Sequence, residues 1–545
     1  MKSFLPIYMF FSLLGYVDLQ AKTYYVSPLG DDINNGSITS PLKTINIAFE
    51  KAQTGDTICL RAGEYHQQIE SIRAGSSSKP ITLINYPNEI PYIDGKDVSS
   101  GNNGVIIGHD YIRVVGLKVL NWRDSGIFLL PNIGFNQVRN CEVYECGSCL
   151  DLYQGVHDFI IDSVDLHDFA EESHGFDATS HDGTPIYNGL ISNSKSHDGK
   201  GGNCDGFALG HDRGYISFGD VHSIKFLNCQ AYNVGDGFDI SGKDIILERC
   251  LAHDTFYGGN YKLWASNPTL INCIGYGGGT NVELDIQNSP PVIATLYNCT
   301  FYNGENNNIA IQTDSCKLIM VNCIVAGGNN VGIRTEMPFK IGNYEGDYNL
   351  FHCGNTERMF ADPNIDISLA EFQTGIWQQT TGGQDSHSKI VATPNIVFRD
   401  TNSSKINLRL KSESPAINSG IIIPQQTPNL DYDNTLRNDG IIDIGAFEYN
   451  PKTGLNDEEN SISNHLYIYP NPCKKYCWIE NFTSDSNFVN FQIFDALGNY
   501  MMTCSNKNNI INSKMMIDVS TLSTGLYFVY INSKIESQSA ILMIH

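Results

Sequence analysis

The sequence predicts an all-β protein, a parallel β-helix followed by a small C-terminal β-sandwich. Three observations predict it: an Asn-Cys step that recurs along the middle of the chain, intervals of 21 to 26 residues between most of these steps, and a short apolar-alternating strand on either side of each step. Such a strand cannot bury its apolar face alone, so the units are expected to stack as coils around one core. The cysteines of the steps are Cys141, Cys229, Cys250, Cys273, Cys299 and Cys323.

The bend between the two strands of each unit is the second element of the repeat. Ser163 and Ser194 replace the cysteine in two units, and Arg249 replaces the asparagine in another. Asparagine tolerates the left-handed backbone of a tight bend and can stack its amide groups in a column. The intervals of 31 and 35 residues that end at Ser194 and Cys229 indicate coils with inserted loops.

The cysteine column is expected to fill the core. The chain has 15 cysteines, an odd number, and free cysteine is among the residues most often buried. Because serine replaces cysteine in two coils, the pattern favours reduced thiols; the alternative is pairing between coils that lie about 4.8 Å apart. Cys146 and Cys149 form a lone CxxC with no second pair to complete a zinc site, so we expect a structural role for them.

The composition changes along the chain and predicts four segments. Residues 1–21 have a basic start and a short apolar run typical of a signal peptide, and residues 22–450 carry the β-helix domain with its site. Residues 451–464 are polar and predict a linker, and residues 465–545 predict the small β-sandwich.

The ends of the β-helix have their own signals. A helix near residues 47–52 is expected to plug the N-terminal end of the stack. The phrases at 414–417 and 443–449 are typical of terminal coils.

The charge of the chain excludes some partners. There are 59 Asp and Glu residues against 35 Lys and Arg residues, a formal net charge of −24. This argues against a nucleic acid or an anionic membrane surface as partner. After the signal peptide no run reaches the roughly 18 apolar residues of a membrane span. We therefore expect a secreted or cell-surface protein without a membrane span, acting as a monomer.

The C-terminal segment carries a second set of motifs. Tyr469-Pro470-Asn471-Pro472 is followed by Asp518-Val519-Ser520 and by Leu522-Ser523-Thr524-Gly525-Leu526-Tyr527. These phrases resemble the C-terminal sorting domain of the Bacteroidetes type IX secretion system. The resemblance implies the type IX machinery as a partner. The strand pattern alone also fits a carbohydrate-binding module.

One strand of each coil carries the residues that could do chemistry. Its aromatic or apolar column is Phe176, Phe207, Phe238, Tyr261 and Val282. Two residues before the first three members stand His174, Asp205 and Asp236, and one residue after the five stand Asp177, Ala208, Asp239, Lys262 and Glu283. The two-residue period of a strand brings these flanking residues to one wall or its edge.

Three acidic residues of this wall, Asp205, Asp236 and Asp239, are predicted to converge on adjacent coils. Close carboxylates repel one another unless a cation neutralises them, and Ca²⁺, which takes six to eight oxygen ligands, suits such a set. Lys262 follows one coil later, placed to remove a proton from a uronate whose carboxylate is neutralised. The alternative is a column of solvated aspartates at the corners of the coils.

The motifs in this region also resemble a known family. Asn203-Cys204-Asp205-Gly206-Phe207-Ala208, Asn233-Val234-Gly235-Asp236-Gly237-Phe238-Asp239 and Gly259-Asn260-Tyr261-Lys262-Leu263 are similar to polysaccharide lyase family 9, over roughly residues 105–330. The resemblance implies a right-handed β-helix, a calcium site and a lysine base. Asp205, Asp236 and Asp239 fall on metal-ligand positions, Lys262 falls on the base, and Gly235 stands where the family often has a further aspartate. A backbone carbonyl, water or another acid such as Asp177 is expected to complete the site.

The expected activity is that of a polysaccharide lyase, a carbon–oxygen lyase that cleaves a uronate-containing glycan such as pectate by β-elimination. The alternatives are a non-catalytic surface β-helix that binds glycans, and a β-helix glycoside hydrolase or epimerase. Candidates for contact with the acidic polysaccharide are Arg213, Lys225, Lys243 and Arg249 for its carboxylates, Tyr257 and Trp264 for its rings, and His211 and His253 for proton transfer.

Overall fold

Three long sheets wrap around a common core in a computed structural model of the chain. The structure describes residues 21–544 except 100, 211–219, 286–291, 353–357, 403–405, 424–429, 438–440, 450–466, 470–472, 474, 481–489, 496–499, 506–509, 512–513, 524 and 533–536. The predicted signal peptide and linker therefore lie outside the described residues, apart from Ala21. Each sheet has 13 strands, and nearly all neighbouring strands are parallel partners from successive coils.

The strands of the three sheets follow one another in every coil. Sheet 1 contains Thr23–Val26, Thr57–Leu60, Ile81–Asn85, Ile112–Val115, Gln137–Arg139, Ile160–Asp162, Ile186–Ser192, Val221–Leu227, Ile246–Glu248, Thr269–Ile271, Ile293–Tyr297, Lys317–Val321 and Tyr344–Asp347. Sheet 2 contains Ile69–Glu70, Val105–Ile107, Ser125–Leu129, Ser148–Tyr153, His174–Thr179, Asp205–Leu209, Asp236–Gly242, Gly259–Ser266, Thr280–Asp285, Asn307–Ile311, Val331–Thr335, Arg358–Ala361 and Asp366–Ser368. Sheet 3 contains Gly63–Tyr65, Pro91–Asp94, Lys118–Leu120, Glu142–Tyr144, Asp165–His167, Lys195–His197, Gln230–Tyr232, Leu251–His253, Ile274–Tyr276, Thr300–Tyr302, Ile324–Ala326, Leu350–Phe351 and Lys389–Ile390. The predicted parallel β-helix is confirmed.

The bend between sheets 1 and 3 is made by the asparagine column. Its members have positive φ near 55°, as the left-handed backbone requires: Asn140, Ser163, Asn193, Asn228, Arg249, Asn272, Asn298 and Asn322. The prediction that Ser163 replaces a cysteine was wrong, because Arg139 pairs with Asp162 and Val164 therefore stands at the cysteine position. The side-chain amide of Asn228 donates to Asn193 at 3.0 Å, so the amides stack along the coils. Arg249 does not point into solvent, because its Nε donates to the amide oxygen of Asn228 at 2.9 Å.

A second left-handed column marks the other end of the sheet 3 strands. It stands five residues after the first and consists of Glu145, Asp168, Asp198, Asn233, Asp254 and Asn303. Histidine and tyrosine rings one residue earlier stack face to face on the outside of the coils, as His197 does on Tyr232 with ring centroids 4.6 Å apart. The two columns together fix where each short strand of sheet 3 begins and ends.

The core is filled by thiols and rings, as the sequence predicts. The 13 cysteines whose side chains the structure describes are all buried and free. The Sγ atoms of the column donate to backbone carbonyls, for example from Cys273 to Leu247 at 3.3 Å. Phe207, Phe238 and Tyr261 stack on consecutive coils with centroids 5.1 and 5.3 Å apart. Reduced thiols are therefore confirmed for these residues.

Short helices close the stack at both ends. Helix Ile45–Lys51 buries Ile45, Ala48 and Phe49 against the first coils, which confirms the predicted plug. At the other end, helices Leu369–Gln373 and Ile376–Thr381 bring Phe372 and the fully buried Trp377 onto the last coil.

The phrases at 414–417 and 443–449 are not terminal coils, so that interpretation was wrong. With the 3₁₀ helix Pro394–Ile396 and the hairpin Phe398–Asp400 with Asn407–Leu410, the described parts of residues 391–449 form a strap on the outer face of sheet 3. Buried Arg437 holds the strap to a coil, because it donates to the side chain of Asn272 at 3.1 Å. The outer face of these later coils is apolar and therefore needs the cover.

The C-terminal part forms two four-stranded antiparallel sheets that share one core. One contains Tyr467–Tyr469, Tyr476–Glu480, Lys514–Asp518 and Ile510–Ile511, and the other contains Tyr500–Ser505, Asn490–Asp495, Gly525–Asn532 and Ser537–Ile544. The predicted small β-sandwich is confirmed. In the described part of the chain, no helix is long and apolar enough to cross a membrane.

A partly buried ion cluster next to the asparagine column makes stability depend on pH. Glu248 pairs with Lys225 at 2.7 Å and with Arg249 at 2.5 Å. Burial alone would raise the pKa of Glu248, but the two cations outweigh it and lower that pKa to about 2. The cluster therefore stabilises the fold above the ordinary glutamate pKa of 4.5 and stops doing so as the pH falls towards 2.

We expect Glu248→Gln to lower the free energy of unfolding at pH 7 by roughly 3 kcal/mol, the equivalent of the pKa shift. Protonation removes the same charge from the wild type in acid, so the two proteins should converge in stability between pH 4.5 and pH 2. Melting curves followed by circular dichroism at several pH values measure this. A constant difference at every pH would contradict the assigned role of the cluster.

Candidate functional site

The register of sheet 2 brings the predicted site residues together on its outer face. Asp205 pairs with Asp236 on the next strand, and Asp239 pairs with Lys262 on the one after. Glu283 follows Lys262 in the same row. Asp239, Lys262 and Glu283 each stand one residue after the aromatic or apolar column, so the two-residue period points them outwards. Asp205 and Asp236 are the first residues of their strands, and their carboxylates join that of Asp239 there.

The three aspartates form a compact buried cluster. Asp205, Asp236 and Asp239 are 0 % exposed, and each offers a carboxylate oxygen within 4.8 Å of the others. The Nζ of Lys262 donates to Oδ2 of Asp236 and to Oδ2 of Asp239, both at 3.0 Å. Oxygen-only donors with such a high charge density are the ligands that hard divalent cations prefer.

Two of the carboxylates accept hydrogen bonds from the protein, and the third has an ion-pair partner. The backbone N–H of Gly259 donates to Oδ1 of Asp236 at 2.6 Å, and the indole N–H of Trp264 donates to Oδ1 of Asp239. Nε2 of His174 lies 3.3 Å from Oδ2 of Asp205. These contacts fix the directions in which the carboxylates face before any ligand binds.

Two cations at the edges of the cluster compensate its charge. Burial raises the pKa of Asp236 to about 7, with Asp239 adding to the rise and Lys262 opposing it. Burial opposes the charged form of Lys262, but the carboxylates outweigh this and hold its pKa above the ordinary value. Burial likewise opposes a charge on His174, but its pair with Asp205 raises the pKa of His174 to about 9. Such perturbed groups in a cleft are typical of functional sites.

Gly235 stands beside the cluster, where a side chain would not fit. A Cβ atom there would lie 2.8 Å from the backbone N and O of Cys204. The backbone carbonyl of Gly235 accepts hydrogen bonds from the N–H groups of Tyr257 and Gly258, at 3.2 and 3.3 Å. Asp177 is in the same row of sheet 2 as Asp239 but two strands earlier, with Ala208 between them. It does not belong to the group of close carboxylate oxygens.

The other predicted contact residues have different outcomes. Lys225 and Arg249 pair with Glu248 at sheet 1, and His253 stacks in the outer row of sheet 3. Trp264 is only 6 % exposed, so this candidate for contact with a sugar ring is a packing residue. Arg213 and His211 lie outside the described residues, and for Lys243 the contact stays a prediction.

Sequence reasoning missed the roles of Trp264 and of three buried asparagines. Asn260, Asn281 and Asn308 face inwards and pass hydrogen bonds along the coils, with both amide-to-amide distances 2.7 Å. Thr255 donates to the first of them at 3.0 Å. The signal was present, because each of the three stands one residue before its apolar neighbour, whereas Asp205 and Asp236 stand two residues before theirs.

A groove of about 500 Å³ runs from the cluster towards the later coils. Asp236 and Lys262 line one end, and Arg334 and Glu336 line the other. Tyr257 lies at the rim with 66 % of its surface exposed. The groove gives an extended ligand access to the Lys262 ammonium.

Comparison with known proteins identifies the family of the β-helix part. The family described as "Pel9A-like, right handed beta helix region" matches residues 24–330, more than half of the chain. The chain belongs to this family. The resemblance to polysaccharide lyase family 9 and the right-handed β-helix that it implied are thereby confirmed.

Curated proteins that are similar to the chain match only parts of it. Pectate lyase PEL9 of Emericella nidulans is 39% identical over 80 residues, 14% of this chain and 20% of that protein. The uncharacterized protein YwoF of Bacillus subtilis is 42% identical over 76 residues, 14% of this chain and 16% of that one. The chain thus spans a fifth or less of these relatives. The crystal structure of pectate lyase Pel9A is 17% identical and covers 79% of this chain and 96% of its own, with a TM-score of 0.45.

The C-terminal part has its own match. The family described as "Secretion system C-terminal sorting domain" matches residues 467–545. The predicted sorting domain is confirmed, and the protein is secreted or held at the cell surface. A Pel9A-like β-helix is thus delivered outside the cell.

We expect Trp264→Phe to lower the free energy of unfolding by about 1–3 kcal/mol, because a buried carboxylate of Asp239 loses a donor. Trp122→Phe is a matched control, since that buried indole donates to the neutral carbonyl of Ile93 at 3.0 Å. Trp122→Phe should lower the free energy of unfolding by less, because the hydrogen bond that it removes has a neutral acceptor. Chemical denaturation measures both, and equal losses would argue against the role of Trp264 in holding Asp239.

Proposed function

We propose that the protein is a calcium-dependent polysaccharide lyase that cleaves a uronate-containing glycan, such as pectate or a related galacturonan, by β-elimination. One observation carries the proposal: the Lys262 ammonium contacts two of three fully buried carboxylates at the head of an open groove. A candidate base and a set of candidate cation ligands thus lie in contact with one another. Membership of the Pel9A-like family supports the same reaction class.

The donor set fits Ca²⁺. Asp205, Asp236 and Asp239 offer oxygens within 4.8 Å of one another, and backbone carbonyls, water and the substrate carboxylate would supply the remaining ligands. When bound, Ca²⁺ neutralises the uronate carboxylate and makes the proton on C5 more acidic. The residues that hold these carboxylates, Gly259 and Trp264, keep the site in order for it.

Lys262 is the proposed base. Its Nζ takes the C5 proton, the C5–H electron pair forms the C4–C5 double bond, and the bond from C4 to the glycosidic oxygen breaks. The leaving oxygen takes a proton from water, and the new end is an unsaturated uronide. Lys262 must be neutral to accept the proton. A neutral lysine cannot balance the charges of Asp236 and Asp239, so a bound cation has to do so.

We expect Lys262→Gln to lower kcat on polygalacturonate by about 10²- to 10⁴-fold, the usual share of a general base. Lys262→Arg should be as slow, because arginine keeps the charge but does not give up its proton. The exposed Lys317, which pairs with Glu345 at 2.6 Å on sheet 1, provides the control Lys317→Gln. The ultraviolet absorbance of the unsaturated uronide measures the rates.

The pH profile and the product test the same role. The ordinary pKa of lysine is about 10.4, and without a bound cation the carboxylates hold the pKa of Lys262 higher still, so the wild-type rate should climb with pH into the alkaline range. A maximum below about pH 6, far under the lysine pKa, is incompatible with this base. Reducing ends without unsaturated product would instead indicate a hydrolase, and binding without any product would indicate a glycan-binding β-helix.

We expect Asp236→Asn to weaken Ca²⁺ binding about ten-fold or more, because affinity follows the number of charged ligands. Calorimetric titration measures this without a substrate. Glu64→Gln is the control, since Glu64, His66 and Asp94 form the other group of close ligand atoms among the described residues. A chelator should abolish the activity and Ca²⁺ should restore it. If only Glu64→Gln weakened Ca²⁺ binding, the calcium site would lie at Glu64 and not at Asp236.

A further inference from the structure

The groove beyond Lys262 has a lining that bears on the substrate. Along the outer row of sheet 2, Lys262 is followed by Glu283, then by Ala310 and then by Arg334. Strands in such a sheet lie about 4.8 Å apart. A glycan chain that continues from the base towards the later coils therefore meets Glu283 first.

The charges of this lining do not suit a row of uronates. Among the described lining residues the only cations are Lys262 and Arg334. Lys262 is paired with two aspartates, and Arg334 pairs with Glu336, with Nε at 2.7 Å and a terminal guanidinium nitrogen at 3.4 Å. A second uronate next to the one at the base would place its carboxylate beside Glu283, and like charges repel.

The same lining suits sugar hydroxyls. Carboxylates accept hydrogen bonds from hydroxyl groups, and side-chain amides both donate and accept. Glu283 is held in place by the amide of Gln312, which donates to its Oε1 at 2.6 Å, and Asn307 and Asn330 line the groove nearby. The exposed ring of Tyr257 at the rim offers an apolar face to a sugar.

We infer that the position next to the reacting uronate, at Glu283, takes a neutral sugar, so that the natural substrate alternates uronates with neutral sugars. The inference rests on the proposed lyase function. A homopolymer of uronates would be the poorer ligand, since each of its residues carries a carboxylate into the groove.

Two polymers test the inference with the full-length protein and Ca²⁺. One is polygalacturonate, and the other is a rhamnogalacturonan backbone, in which galacturonate alternates with rhamnose. We expect kcat/KM, followed by the absorbance of the unsaturated uronide, to be at least ten-fold higher on the alternating polymer. Equal or faster cleavage of polygalacturonate overturns the inference but leaves the lyase function intact.

Binding separates the two possible failures. If neither polymer yields unsaturated product, the lyase function fails, and calorimetric titration with oligosaccharides of both polymers still decides the inference. Tighter binding of the alternating oligosaccharide supports it, and equal or weaker binding overturns it.

A charge reversal gives the matched variant. Glu283→Lys should raise affinity for polygalacturonate oligosaccharides about ten-fold and reduce the preference for the alternating ones. Glu345→Lys makes the same change at an exposed pair with Lys317 on sheet 1 and should leave both affinities unchanged. If the two variants shift binding alike, only the net charge of the protein matters and the inference is wrong.

Discussion

The register between successive coils is the constraint on which the rest of the structure depends. Each strand is short, and only the pairing with the coils before and after it holds it in place. The left-handed residues at both ends of the sheet 3 strands, such as Asn228 and Asn233, set where the chain turns. A slip of one residue would turn Asp239 and Lys262 inwards and the phenylalanines outwards. The site therefore depends on bends that never touch it.

That register also explains how three carboxylates can be buried side by side. Taking charges out of water is costly unless they are paired and hydrogen-bonded. Here Lys262 and His174 supply charge, and Gly259 and Trp264 supply donors. The neighbours that neutralise the carboxylates also fix their orientation. A cation that displaces the Lys262 ammonium therefore meets carboxylates that already face it.

The sequence predicted the fold and the positions of the cluster because both repeat with the coil. Asn228, Cys229 and their equivalents are visible as a column, and the column aligns Asp205, Asp236, Asp239 and Lys262. Contacts that do not repeat from coil to coil could not be predicted from the sequence. The indole of Trp264 reaches Asp239 only through its particular side-chain direction, and the strap reaches Asn272 from more than 150 residues away. Gly235 was read as a missing ligand, whereas the close approach of Cys204 leaves no room for one.

The buried thiols have a consequence for how the protein reaches the outside. All 13 described cysteine side chains are free and buried, and ten of them lie in the core of the coils, so maturation of these coils requires no oxidant and no disulfide isomerase. An oxidising exterior finds no thiol to attack at the surface of the described core. The coils thus shield the cysteine column from oxidants outside the cell.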